Sequence, residues 1–202
     1  ANYIRQMGEH PGYVFNVGCP SGDFITQIDA DLSSESLQKL GVGGNIDVNN
    51  PFFLVIFHPI TTDFENQREQ ALQLIKALHQ IAHPTIWIWP NVDAGSDYIS
   101  KALRVYREHH NASWLYLIKN LDPVTYQQTL KRAACAIGNS SSFIRDSTFS
   151  GTPVVLVGDR QVGRDHGENV ISCPPITADI VSAIRKQTKL GRRPPSTLYG
   201  DG

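Results

Sequence analysis

Five short apolar runs constrain this chain more than any other feature. They are residues 52–58 (FFLVIFH), 85–89 (TIWIW), 114–118 (WLYLI), 133–138 (AACAIG) and 153–157 (PVVLV). Each is too short for a helix, too uniformly apolar for a half-exposed strand, and rich in β-branched or aromatic residues. Such runs suit strands buried on both faces, as in a parallel sheet covered by helices. Two weaker strand candidates are 13–17 (YVFNV) and 170–173 (VISC). The stretches between have helical period. Residues 65–83 place Ala71, Leu72, Leu74, Ile75, Leu78 and Ile81 on one broad face. Asp122 and Pro123 supply an N-cap and a first-turn proline for a helix reaching about Arg132, and a last helix covers 177–190. The alternation predicts an α/β fold, a doubly wound parallel sheet of Rossmann-like type. The segment 41–51 (GVGGNIDVNNP) reads as a turn-rich connection that separates an N-terminal segment, 1–50, from the main unit.

Composition limits the rest. With 202 residues, 41% hydrophobic and 18% charged, the chain supports one sizeable core or at most two small ones, and 1–202 is expected to be a single domain. A net charge of -1 supplies no footprint for nucleic acid or an anionic membrane, and any phosphate must be held by a local site. Cys19, Cys135 and Cys173 are widely spaced, without a CxxC, which argues against a disulfide framework and against a zinc site. No apolar run approaches transmembrane length and the first ten residues lack a signal-peptide core, so a soluble, cytoplasmic protein with a small-molecule partner is expected.

In a doubly wound sheet, ligands bind beyond the carboxyl ends of the strands. That rule gathers His58-Pro59, Pro90-Asn91, Asn120, Gly138-Asn139 and the residues from Gly158 to Arg160 on one edge. The richest piece is 138–165 (GNSSSFIRDSTFSGTPVVLVGDRQVGRD). There a Gly/Ser turn at the start of a helix offers hydroxyls and unpaired N–H groups to an anion, and Arg160 and Arg164 follow the next strand. Ser140, Ser141 and Ser142 are therefore diphosphate ligands or an ordinary Ser-rich N-cap. His58 is an acid or base, or a strand-end histidine satisfied by a carbonyl. Asn91, Asp93 and Ser96 line the cleft, or Asp93 or Ser96 caps the next helix. Asp146 complements a helix dipole or meets a ligand, and Arg145 is simply solvated.

The motifs FNVGCPSGD (15–23), FHPITTD (57–63), WPNVDAGS (89–96), AIGNSSSFIRDS (136–147), GTPVVLVGDRQVGRDHGENV (151–170) and YGDG (199–202) together resemble the UDP-N-acetylglucosamine 2-epimerases. HPITTD is closest to the hydrolysing, sialic-acid-pathway type, since the non-hydrolysing bacterial enzymes have an HR-containing motif there. The resemblance implies the C-terminal half of a GT-B two-domain fold, with the N-terminal epimerase domain, its glycine-rich loop and catalytic carboxylates, and the final C-terminal helix absent. It implies conversion of UDP-N-acetylglucosamine to N-acetylmannosamine and UDP without metal or redox cofactor, in a homo-oligomer when full length, for sialic acid or capsule polysaccharide synthesis. This chain alone would be inactive.

Residue by residue, the resemblance implies that Ser140 and Ser141 hold the UDP phosphates, in a turn with Gly138, Asn139 and Ser142, and that Arg160 lines the same site. His58 would be essential for catalysis, Asn91 a polar residue of its cleft, and Asn120 and Leu121 the backbone neighbours of uracil. Asp146 stands where the family usually has a ribose-binding glutamate, and Phe143, in place of a usual glycine, would crowd the phosphate turn. Lys101 and Arg104 match basic positions that bind the feedback inhibitor CMP-sialic acid in the animal enzymes. A GT-B glycosyltransferase donor domain, a non-hydrolysing epimerase and a non-catalytic nucleotide-sugar-binding module are the alternatives.

Overall fold

The computed structural model describes residues 2–60, 63 and 65–200. Thr61 and Thr62 of HPITTD, and Asp201 and Gly202 of YGDG, lie outside them. In chain order the helices are α1 (Asn2–Gln6), α2 (Ser21–Gln27), α3 (Ser34–Gln38), α4 (Gln67–Ile81), α5 (Ser96–His109), α6 (Pro123–Arg132), α7 (Ser141–Arg145) and α8 (Thr177–Leu190). The strands are β1 (Gly41–Gly43), β2 (Phe53–Ile56), β3 (Thr85–Ile88), β4 (Leu115–Ile118), β5 (Cys135–Gly138), β6 (Val154–Val157) and β7 (Val170–Cys173). Short 3-10 turns occupy Pro11–Tyr13 and Asp146–Phe149.

Among the described residues the strands form one sheet in the order β1-β4-β3-β2-β5-β6-β7. All pairings are parallel except β1 with β4. β2 to β6 are buried at every position, because both faces are covered. Period-2 alternation divides the side chains between two cores. Phe53, Val55, Trp87, Leu117, Ile137 and Val155 pack with α4, α5 and α8. Leu54, Ile56, Ile86, Tyr116, Ala136 and Val154 pack on the opposite face with Leu37, Leu130, Phe143 and Ile144. The expected helix boundaries hold within two residues at α4, and α8 spans the expected residues. Asp122 caps α6, accepting from the Val124 and Thr125 amides at 3.0 and 3.1 Å.

Two expectations are corrected. Residues 13–17 form no strand. Tyr13, Phe15 and Val17 are each more than 70% exposed, and the chain beyond them is tied to the other end of the sequence, with Cys19 N–H donating to the Tyr199 carbonyl at 2.7 Å. A run of strand-forming residues becomes a strand only where it lies against another strand; among the described residues this run lies against none, and the edge of β4 is taken. It is occupied by the segment expected to be a turn: Gly41, Val42 and Gly43 pair with Ile118, Leu117 and Tyr116. A Cβ on Gly41 or Gly43 would lie 2.2 Å from the Leu117 carbonyl oxygen or 2.3 Å from that of Leu115, so these glycines permit the close backbone approach. Residues 1–50 are accordingly no mere lead-in: Ile25, Leu32, Leu37, Ile46 and Val48 are buried in the main body.

Candidate functional site

From β2 the chain winds outward through β3 and β4, then resumes beside β2 at β5 and winds the other way through β6 and β7. The carboxyl ends of β2 and β5 therefore flank the topological switch point, where neighbouring connections diverge and leave a crevice. Their last paired residues are Ile56 and Gly138. Gly138 has φ 141°, and a Cβ there would sit 1.9 Å from the Ile56 carbonyl oxygen, so only glycine lets the strands meet at this point.

Immediately beyond, Asn139 spans the crevice. Its Oδ1 accepts from the His58 amide at 2.7 Å, its Nδ2 donates to the His58 carbonyl at 2.8 Å, and its own N–H donates to the Ile56 carbonyl at 3.1 Å. The Asn139 carbonyl accepts from Arg160 Nη1 at 3.1 Å and from Gln161 Nε2 at 2.7 Å. Asn139 is 1% exposed, so its side chain is spent on His58 instead of being presented to a ligand.

The His58 imidazole is buried, and its Nδ1 lies 3.4 Å from the Asn91 backbone N–H. That long contact makes Nδ1 the acceptor and places the ring proton on Nε2. Burial, followed by the nearby Arg160 guanidinium, pushes the pKa down to about 4, with Asp93 opposing. The ring is neutral at physiological pH. The alternative in which it donates to a carbonyl is not what the structure shows. Nor do Asp93 and Ser96 cap α5: Gly95 is the cap residue, without a side-chain bond, and the turn closes through the Ser96 N–H and the Asp93 carbonyl at 3.0 Å.

The serine turn differs from its expected form. α7 has five residues and ends in a 3-10 turn, so little helix dipole stands behind it. Ser140 occupies the N-cap position without capping. Instead its hydroxyl lies 2.8 Å from that of Ser142, which lies 2.6 Å from the Tyr126 hydroxyl on α6. Phe143 is fully buried in the second core, which corrects the expectation that it crowds the turn. Arg145, expected to be solvated, pairs with Asp146 at 2.7 Å. Asp146 is buried, and its other oxygen accepts from Gln127 Nε2 at 2.9 Å.

Two hollows flank the 89–96 loop. One, of about 770 Å³, is lined by Pro59, Asp63, Asp93, Gly158, Asp159 and Arg160. The other, of about 740 Å³, is lined by Asn91, Ser96, Asp97, Arg104, Lys119 and Asn120. Asn120 is exposed while Leu121 turns into the core. Lys101 does not join Arg104: it borders a separate, largely apolar hollow between α4 and α5, with Leu72, Ile75 and Val105. Among the described residues no His, Cys, Asp and Glu cluster forms a metal site, and no helix is long and apolar enough to cross a membrane. Cys19, Cys135 and Cys173 are free thiols.

Gln127, Gln161 and Tyr126 escaped the sequence reading. Gln161 was signalled only by its place beside Arg160, and the other two lie within an ordinary helix.

A doubly wound sheet whose polar strand ends meet at the switch point defines the class, a Rossmann-like unit with its crevice between β2 and β5. The chain belongs to the UDP-N-acetylglucosamine 2-epimerase family, whose model matches residues 1–202. It is 30% identical over 183 residues to the polysialic acid biosynthesis protein P7 of Escherichia coli, covering 90% of this chain and 45% of that one. It is 31% identical over 171 residues to the GDP/UDP-N,N'-diacetylbacillosamine 2-epimerase (hydrolyzing) of Campylobacter jejuni, covering 83% and 43%. The chain thus spans about half the length of the curated relatives it matches. The structure of the Methanocaldococcus jannaschii UDP-GlcNAc 2-epimerase in complex with UDP-GlcNAc and UDP superposes with a TM-score of 0.71 at 13% identity, over 100% of this chain and 55% of that one. The Neisseria meningitidis enzyme bound to UDP-GlcNAc superposes equally well, with the same identity and coverage.

Proposed function

We propose that this chain is the UDP-binding half of a hydrolysing UDP-N-acetylglucosamine 2-epimerase. The observation that supports it most is the grouping of His58, the serine turn and Arg160 around one switch point, with Arg160 bonded to the backbone of the residue that precedes Ser140. In the reaction the C1–O bond to UDP breaks as the C2 proton leaves, giving a 2-acetamidoglucal. Water then adds a hydroxyl to C1 and a proton to the opposite face of C2. The products are N-acetylmannosamine and UDP, and no electrons enter or leave the pair.

This chain's share is to receive the departing diphosphate. Directed outward, the hydroxyl chain Tyr126 to Ser142 to Ser140 leaves the Ser140 proton free for a phosphate oxygen, and Ser141 supplies a first-turn N–H. Arg160 adds a charge-assisted bond, worth about 1.5–3 kcal/mol. His58, neutral and protonated on Nε2, acts as a hydrogen-bond donor to the leaving group, while Asn91 holds the ring through its backbone. Carboxylates that move the C2 proton would come from an N-terminal domain of the same protein. The exposed Tyr3, Met7, Tyr13, Phe15 and Val17 offer an apolar surface for it. Asn120 and Leu121 would meet the uracil. Asp146 would meet the ribose through the carboxylate lone pairs left over from its bonds to Gln127 and Arg145. A feedback site joining Lys101 and Arg104 is disfavoured by their facing separate hollows.

The test is the product of the full-length protein incubated with UDP-N-acetylglucosamine and no acceptor. N-acetylmannosamine and free UDP, seen by proton and phosphorus NMR, are expected; UDP-N-acetylmannosamine would identify a non-hydrolysing enzyme. Calorimetry on the 202-residue chain should show UDP binding without turnover.

A further inference from the structure

We propose that Asn139 is a positioning residue that locks His58 and Arg160 into one unit across the switch point and itself makes no contact with the ligand. The inference rests on the UDP-site reading above and deepens it. Three observations carry it. First, the β2–β5 ladder ends at Ile56 and Gly138, at the place where the two chain directions part. The carboxamide of Asn139 presents a donor group and an acceptor group side by side, as a peptide does, and it meets both backbone groups of His58, so it stands in for the missing rung of a ladder. Second, the carbonyl of the same residue receives Arg160 and Gln161 from the loop after β6. One residue therefore fixes a group from β2 and a group from β6 relative to each other. Third, Asn139 is 1% exposed with Oδ1 and Nδ2 each bonded to His58, so the second N–H of the carboxamide is enclosed by protein and not presented to a phosphate.

The chemistry of the position is narrow. Aspartate keeps the acceptor for the His58 N–H but places a carboxylate oxygen against the His58 carbonyl. Serine cannot span both groups. Glutamine adds a methylene where the strands are in contact. Charges facing the imidazole are those of Arg160 and Asp93, so a loosened Arg160 changes what His58 experiences.

The test uses the full-length protein. In the wild type, the Asn139 side-chain amide protons and the His58 backbone amide should exchange with solvent at least 100-fold more slowly than exposed amides, and no phosphorus–nitrogen contact to Asn139 should appear with UDP bound. Free exchange of the Asn139 amide, or a direct contact with phosphate, overturns the proposal without any mutant. In Asn139→Asp and Asn139→Ser, the His58 titration followed by NMR should move upward from about 4 by roughly one unit. Substrate turnover should fall about 10- to 100-fold in kcat with a smaller rise in KM, and Arg160→Gln should add little in the Asn139→Asp background. Folded variants with wild-type His58 titration and full additivity with Arg160→Gln overturn it. If wild-type protein binds no UDP, the functional reading fails, yet amide exchange and the titration still decide whether Asn139 couples His58 to Arg160.

Discussion

The crevice between β2 and β5 and the hollow beyond β3 and β4 lie side by side, and they are built on opposite plans. In the crevice nearly every polar group is bonded to another, and all are buried or half-buried: Asn139 to His58, Arg160 and Gln161 to the Asn139 carbonyl, Ser140 to Ser142, and Ser142 to Tyr126. In the hollow Asn91, Asp97, Arg104, Lys119 and Asn120 are exposed, and α5 begins without a side-chain cap. A bonded, buried group cannot reorient to suit a ligand, but it costs no ordering entropy when one arrives. Exposed long side chains pay that entropy each time. The crevice is suited to holding charge in a fixed geometry, as a leaving diphosphate requires. The hollow is suited to looser recognition through backbone and shape.

Substitutions in the crevice should therefore matter far more than substitutions in the hollow. His58→Ala, which removes the donor aimed at the departing oxygen, is expected to have the largest effect, lowering the epimerase rate of the full-length protein by about 10²- to 10³-fold while UDP affinity changes far less. A comparable loss in both would make His58 a binding group. Gly138→Ala should destabilise the protein by about 3 kcal/mol or more, since its Cβ would overlap the Ile56 carbonyl and demand a positive φ of alanine. Urea denaturation of the variant checks this, and a normal midpoint would show the two strand ends can spread.

Stability should also fall with pH as His58 takes up a proton. Unfolded, His58 titrates near 6.5; folded, near 4. Between those values the unfolded state binds the extra proton, so His58's contribution is fully present above pH 6.5 and is lost as pH falls toward 4. The loss amounts to about 3 kcal/mol, and His58→Gln should remove most of that slope. Some would remain, because burial also lowers the pKa of His83. The smallest effect is expected in the hollow, where Asn120→Ala should change stability by less than about 0.5 kcal/mol and UDP affinity by less than about threefold, as calorimetry would show. A loss as large as that of an Arg160 variant would erase the distinction between the two regions.

How much of this was legible beforehand depended on what each residue does. The doubly buried strands announced themselves, because both faces demand apolar side chains and tolerate a polar group only when it is bonded, as the Thr85 and Tyr116 hydroxyls are to backbone carbonyls. His58, the serines and Arg160 were legible for a related reason: they follow those runs, and strand ends converge in any doubly wound sheet. β1 was hidden because the glycines that signal a turn are the same glycines that allow its backbone to lie against β4. The run at 13–17 misled because strand propensity says nothing about whether the chain path brings the run against another strand. The roles of Asn139, Gln161 and Tyr126 depend on bonds between residues more than 15 positions apart, which no local pattern encodes.

β1 also bears on how the protein is made. Its partner β4 is separated from it by more than 70 positions, although its own register is set by just three residue pairs. On a ribosome, residues 41–43 must wait unpaired while β2, α4, β3 and α5 emerge, and only then can the strand dock. Glycine-rich and short, the waiting segment offers little for another chain to grip. Once seated, it covers the outer rim of β4 and denies that edge to a neighbouring molecule.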